Sequence, residues 1–134
     1  MTIEVYSIFV YGLLGFVVVA AQATYATFTG AVQYGLSNRE GAQPNKGPLG
    51  FHIDRTLANL IEGGLMYLPM ALVAVYADIA NPWTHYAPLM TIVSRVLYVP
   101  LYMLGIEKIR TFVWLFSFFA VPAMAYGIVL GMAA

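Results

Sequence analysis

Most of the chain consists of long apolar stretches that are separated by short polar segments. Of its 134 residues, 61% are hydrophobic and 9% are charged, whereas a soluble domain is about half apolar and about a quarter charged. A helix needs roughly 20 mostly apolar residues to cross a hydrocarbon core about 30 Å thick. Four such helices with short loops would use almost the whole length, so the sequence predicts a single all-α integral membrane domain, residues 1–134.

The polar segments divide the chain into four predicted spans, which cover about residues 6–34, 52–76, 86–104 and 109–132. The first polar segment, residues 35–50, contains four Gly and two Pro, which are typical of a turn-rich loop. The other two segments are short, and helices that are joined by short connections are antiparallel neighbours. The sequence therefore predicts an antiparallel bundle of four transmembrane helices.

The basic residues near the predicted loops indicate the orientation of the bundle. Arg39, Lys46, Lys108 and Arg110 lie in or beside the first and third loops, and the second loop and both termini have no Lys or Arg. Because cytoplasmic loops carry the excess of basic residues, the first and third loops are predicted to be cytoplasmic. The absence of Lys and Arg from residues 1–7 also favours a retained first helix over a cleaved signal peptide.

Two of the predicted spans carry polar residues at membrane depth, where an unpaired charge is costly and marks a functional candidate. In each span the spacing of three and four residues places these side chains on one helix face. They are Arg55, Asn59 and Glu62 in the second span and Arg95, Tyr98 and Tyr102 in the third. Because the two spans run in opposite directions, both stripes are predicted to meet at one cytoplasmic mouth, with Glu62 and Arg95 deepest as a buried ion pair.

The charge at this predicted mouth suits an anionic hydrophilic ligand, since Lys108 and Arg110 add to it. The alternative is that the polar side chains only hold neighbouring helices together through an ion pair and hydrogen bonds. Trp83, Tyr86 and Trp114 lie near span ends and are interpreted as anchors at the membrane interface.

Several classes of protein are not favoured by the sequence. Six basic and six acidic residues provide no basic field for nucleic acid, and the absence of Cys excludes thiolate metal sites and a cysteine nucleophile. His52 and His85 are predicted to lie on opposite membrane faces, so one haem could not use both. We interpret His52 as a residue near a helix cap or the interface and His85 as a loop residue.

The polar stripes are where the chain resembles a known family. Residues 54–62 (DRTLANLIE), read as Arg-x-x-x-Asn-x-x-Glu, and residues 94–114 (SRVLYVPLYMLGIEKIRTFVW) together resemble the MAPEG family. These are the membrane-associated proteins in eicosanoid and glutathione metabolism. The chain looks most like the short bacterial branch, and the resemblance covers nearly its whole length.

The resemblance implies a homotrimer of four-helix bundles in a bacterial inner membrane, with glutathione bound between subunits at the cytoplasmic helix ends. It implies a glutathione transferase or peroxidase that acts on hydrophobic electrophiles and uses no metal. Arg110 would be the catalytic residue, because a nearby arginine increases the fraction of glutathione that is the reactive thiolate. Glutathione itself would be bound by Arg55, Asn59, Glu62, Arg95, Tyr98 and Tyr102.

The sequence departs from the best-studied transferases of that family at a few positions. Gly63 stands where some members have a ligand-binding tyrosine, and Leu57 stands where some have a glutamine. The spacing from Tyr102 to Arg110 is one residue longer than in leukotriene C synthase. Two alternatives stay open. One is a small multidrug transporter, since such proteins also have four spans in about this length, and the other is a catalytically silent membrane scaffold with the same fold. Against the transporter, the carboxylate of that class lies in the first helix, whereas Glu62 lies in the second.

Overall fold

The computed structural model describes residues 1–41 and 44–133, and all the regular structure within these ranges is helical. The helices are α1 (Ile3–Phe28), the short α2 (Val32–Leu36), α3 (Gly47–Tyr76), α4 (Pro82–Met103) and α5 (Glu107–Met132). Residues 42 and 43 of the predicted first loop, and residue 134 of the predicted domain, lie outside the described residues.

Three helices of the described chain, α1, α3 and α5, are long and apolar enough to cross a membrane. The exteriors of the long helices carry large apolar side chains, such as Phe16 with 71% of its surface exposed and Phe119 with 57%. Such surfaces suit a hydrocarbon environment, in which a helix satisfies the hydrogen bonding of its own backbone N–H and C=O groups. These features are those of a membrane protein. The fourth long helix, α4, has 22 residues but is more polar, since it contains Arg95 and several Ser, Thr and Pro residues.

The long helices pack side by side around one core. Helix α4 contacts α1, α3 and α5, while α3 also contacts α1 and α5. The core includes Val18 of α1, Leu60 and Tyr67 of α3, and Met124 of α5, all buried. Only short connections join α3 to α4 and α4 to α5. Each of these consecutive pairs is therefore antiparallel.

Several helix ends differ from the predicted spans for local reasons. Helix α1 ends at Phe28, because Gly30 adopts a positive φ of 73° that does not continue an α-helix. Helix α3 already begins at Gly47, with Pro48 in its first turn, where the missing N–H of proline costs no helical hydrogen bond.

Helix α4 begins at Pro82 because Asn81 caps it. The Asn81 side chain accepts hydrogen bonds from the backbone N–H groups of Trp83 and Thr84, and the Thr84 hydroxyl accepts one from the Asn81 N–H. This reciprocal arrangement is a capping box. His85 consequently lies in the first turns of α4, and its interpretation as a loop residue was wrong.

Two glycines spaced four apart bring α5 close to the start of α4 and to the connection that precedes it. A Cβ atom on Gly127 would lie 2.7 Å from the Cβ of Trp83, and one on Gly131 would collide with Ile79. Asn81 also donates a hydrogen bond from Nδ2 to the Gly127 carbonyl oxygen, at 2.8 Å. Small residues at this spacing let helices in a membrane approach closely.

Candidate functional site

Four of the seven predicted site residues line one polar cleft, at the end of the molecule where α4 ends and α5 begins. The cleft has a volume of about 230 Å³ and is lined by Asn59, Tyr98, Tyr102, Arg110, Thr111 and Trp114. Asn59 comes from α3, the two tyrosines come from α4, and the other three residues come from the first turns of α5. The structure therefore brings together side chains from three helices.

Arg110 is held at this cleft by the aromatic ring of Tyr102. The guanidinium carbon lies 4.3 Å from the ring centroid, within the range of a cation–π interaction. The rings of Tyr98 and Tyr102 lie 5.4 Å apart, and the imidazole of His52 meets Tyr102 edge-on at 6.0 Å. Tyr102 is thus fixed by two other rings, and in turn it holds a half-buried cation whose N–H groups can bind an anion.

The tight connection between α4 and α5 sets the position of Arg110. Gly105 adopts a φ of 73°, and a Cβ atom there would lie 2.9 Å from Cε1 of His52. Glycine is therefore required for both the turn and the close approach of the imidazole. His52, which was interpreted as a residue near a cap or the interface, lies inside α3 and supports Tyr102.

Arg95 lies deeper than the cleft and is only 4% exposed. Its guanidinium carbon is 5.8 Å from the ring centroids of both Tyr11 and Tyr98. Within the described residues, its Nε and Nη1 atoms have no hydrogen-bond partner. Arg95 therefore connects the core tyrosine of α1 with a tyrosine of the cleft.

The predicted ion pair between Glu62 and Arg95 is not formed within the protomer, and that prediction was wrong. Glu62 is exposed, whereas the Arg95 guanidinium lies against Gly63, the next residue of α3, where a side chain would collide with it. With 3.6 residues per turn, consecutive residues of a helix point about 100° apart. Among the described residues, the one ion pair joins Lys46 to Asp54, at 2.8 Å.

Arg55 and Glu62 lie on the exposed side of α3, on either side of Asn59. The Asn59 amide donates a hydrogen bond from Nδ2 to the Arg55 carbonyl oxygen, at 2.9 Å, and this bond directs the side chain along its own helix. Arg55 and Glu62 are not among the residues that line the cleft of the single chain. Their binding roles, like those of the other site residues, remain predictions.

Two residues of the cleft were absent from the predicted site. Trp114 was interpreted as an interface anchor, and Thr111 was not considered. Trp114 follows Arg110 by four positions, and this spacing places both side chains on one helix face. That spacing was the signal in the sequence that would have added Trp114 to the site.

Apolar helices with a polar, arginine-bearing cleft at one end define a helical membrane protein with a candidate site for a polar ligand. The model of the MAPEG family matches residues 3–130, which is nearly the whole chain. The chain belongs to the MAPEG family, as the two sequence motifs indicated. No curated protein and no solved structure matches it significantly.

Proposed function

We propose that this protein is a membrane-bound glutathione transferase or peroxidase that acts on hydrophobic electrophiles. Family membership supports glutathione-related chemistry in a membrane. The observation that carries the proposal is Arg110, whose guanidinium lies over Tyr102 in a polar cleft that also contains Asn59 and Tyr98. A fixed cation in a half-buried cleft is what stabilises a thiolate.

In the proposed transfer reaction, the glutathione thiol releases its proton to water and Arg110 stabilises the remaining thiolate. The sulfur then forms a bond to the electrophilic carbon, and the leaving group departs with the electron pair of the bond that breaks. In the peroxidase variant, two glutathione molecules are oxidised to the disulfide while a hydroperoxide is reduced to an alcohol and water. Preorganised positive charge favours both reactions, because the attacking species is an anion.

The proposed assembly is a homotrimer with glutathione between neighbouring subunits. The cleft of one chain, at about 230 Å³, is smaller than the roughly 300–1,000 Å³ of ordinary small-molecule sites. Arg55 and Glu62 lie exposed beside it, with charges that suit the carboxylate and amino groups of a peptide. A neighbouring subunit packed against this face of α3 would enlarge the site and bring both residues into it.

We also propose that α4 is a fourth membrane span, with the first and third loops in the cytoplasm of a bacterium and the protein in its inner membrane. At about 1.5 Å per residue, the 22 residues of α4 are long enough to cross a hydrocarbon core. Its polar residues Thr91, Ser94 and Arg95 are buried among the other helices, away from lipid. The basic residues of the first and third loops support the orientation.

The proposed activity can be tested with purified protein and 1-chloro-2,4-dinitrobenzene, a hydrophobic electrophile. We expect glutathione-dependent conjugation and a rise in the melting temperature when glutathione is added, because a ligand that binds the folded state stabilises it. The proposal would be rejected by a protein that shows neither turnover nor a glutathione-dependent melting temperature. Binding without turnover on dinitrobenzene or hydroperoxide substrates would instead support the silent scaffold.

The Arg55→Ala substitution tests whether the exposed face of α3 binds glutathione. Hydrogen bonds to a charged group contribute about 1.5–3 kcal/mol, so we expect the Kd for glutathione to rise by at least about tenfold. Turnover at saturating glutathione should stay within a few fold, since this contact is made equally in the ground state and the transition state. Calorimetric titration and steady-state kinetics measure the two effects. The control is Lys108→Ala, since Lys108 was predicted at the mouth but is exposed and is not among the residues that line the cleft. An unchanged Kd in Arg55→Ala would refute the assignment.

A further inference from the structure

A second cleft, separate from the one that contains Arg110, lies along the last turns of α1 and beside α2. It has a volume of about 320 Å³. One part of its wall is polar, with Gln22, Arg39 and Lys46. The other part is apolar and is formed by residues that include Val19, Ala23 and Ala26. The proposed glutathione chemistry uses none of these residues.

The basic part of this cleft is built from hydrogen-bonded groups. Lys46 Nζ lies 2.8 Å from Oδ2 of Asp54, and Gln22 donates a hydrogen bond from Nε2 to Oδ1 of the same carboxylate, at 2.7 Å. Tyr25 donates its hydroxyl proton to the Lys46 carbonyl oxygen, at 2.6 Å. This network ties the start of α3 to α1 and holds Lys46 at the cleft.

Arg39 supplies a second cation. The Tyr34 hydroxyl donates a hydrogen bond to the Arg39 carbonyl oxygen, at 3.1 Å, and both residues line the cleft. Within the described residues, no carboxylate oxygen lies within 4.0 Å of the Arg39 guanidinium, whereas Asp54 neutralises Lys46. The polar part therefore carries net positive charge that a single negative group would balance.

The apolar residues of the cleft follow α1 from Ala26 back to Val19, and Gln22 of the polar part lies among them on the same helix. Val19, Ala23 and Ala26 are spaced four and three apart and share one face of α1. From position 26 to position 19 the helix descends about 10 Å, at about 1.5 Å per residue. The small alanine side chains leave space along this path. The cleft thus joins a cationic end to an apolar channel, which is the shape and polarity of a site for an anionic amphiphile.

We propose that this cleft binds an anionic phospholipid, with the phosphate at Arg39 and Lys46 and an acyl chain along Ala26, Ala23 and Val19. Charge complementarity favours a lipid with net negative charge over a zwitterionic one. The site would lie at the cytoplasmic surface in the proposed orientation, where anionic lipids attract Lys and Arg. The inference rests on the membrane location and not on glutathione chemistry, so either proposal can fail without the other.

The test uses the purified protein in neutral detergent. It measures the rise in melting temperature that each added probe causes and the apparent affinity of the protein for that probe. The probes are phosphatidylglycerol, phosphatidylcholine with the same acyl chains, and inorganic phosphate. We expect phosphatidylglycerol to stabilise the protein most. Arg39→Gln should weaken its binding about fivefold, the factor that corresponds to about 1 kcal/mol for one basic residue at an anionic surface. Lys108→Gln, a basic residue outside the cleft, should leave the binding unchanged.

A second variant tests the apolar part without changing charge. Ala23→Phe should fill the channel and weaken phosphatidylglycerol binding, whereas Thr24→Phe, on a different side of α1, should not. Equal stabilisation by the two lipids, or an unchanged affinity in both Arg39→Gln and Ala23→Phe, would overturn the proposal. The proposal would also be overturned if inorganic phosphate reproduced the whole stabilisation, because the cleft would then be a site for an anion and not for a lipid. If Ala23→Phe instead dissociates the oligomer, a second copy of the chain covers this face and the proposal fails.

Discussion

Replacing Arg110 with alanine is expected to lower kcat for conjugation by about 10²- to 10³-fold, the usual effect of removing one group that stabilises a developing or reacting anion. The Kd for glutathione should change by no more than a few fold, because the ionisation of the thiol depends on Arg110 more than the binding of the peptide does. The pH dependence gives a further test. Without the arginine, the pKa of the bound thiol should return towards its free value of about 8.5, so activity should be recovered at higher pH.

Two control variants separate charge from geometry at this position. Lys108→Ala removes an exposed cation two positions earlier on the same helix, and it should leave kcat unchanged because Lys108 does not line the cleft. Arg110→Lys keeps a positive charge but loses the planar group that stacks on Tyr102 at 4.3 Å, so we expect partial activity. A loss of glutathione affinity in Arg110→Ala as large as the loss of kcat would assign Arg110 to binding and contradict its proposed catalytic role.

Replacing Gly127 with alanine is expected to destabilise the protein by about 1–3 kcal/mol, the usual cost of adding a methyl group to a packed interface. The added Cβ would lie 2.7 Å from Trp83 Cβ and 3.0 Å from both Asn81 Oδ1 and Thr84 Cγ2. These atoms belong to the capped first turn of α4 and cannot move independently of it. The melting temperature in detergent should therefore fall by several degrees.

Gly12→Ala is the matched control for this substitution. It makes the same chemical change in another long helix, but no atom lies within 4 Å of the added Cβ. Because alanine favours a helix over glycine by up to about 1 kcal/mol, this variant should be as stable as the original protein or more so. If the two variants have the same melting temperature, α5 can move away from α4 without loss of stability. The close approach at Gly127 is then not needed for stability.

The sequence predicted the composition of the candidate site better than its arrangement. Spacing of three and four residues grouped Tyr98 with Tyr102, and the opposite directions of the two spans predicted that Asn59 would meet them. The cleft contains all three together with Arg110. The same spacing placed Arg55 and Glu62 with Asn59, yet both lie outside that cleft in the single chain. Periodicity identifies which residues share a helix face, but it does not state what that face contacts.

Helix ends show a similar division between local and tertiary information. The end of α1 at Phe28 and the start of α4 at Pro82 follow from Gly30 and from the Asn81 capping box, which are local features that can be read from the chain. The close contact of His52 with Gly105 and Tyr102 joins residues far apart in sequence. No local pattern contains that information.

The polar residues inside long apolar stretches were the feature from which a membrane protein of this family could be inferred, because hydropathy and motif spacing are properties of the sequence alone. The partners of those residues were decided by tertiary structure. Arg95 lies against Gly63 and between Tyr11 and Tyr98, and Glu62 points outward. The physical reason is helix rotation, since a change of one residue turns a side chain by about 100° and exchanges a buried neighbour for an exposed one.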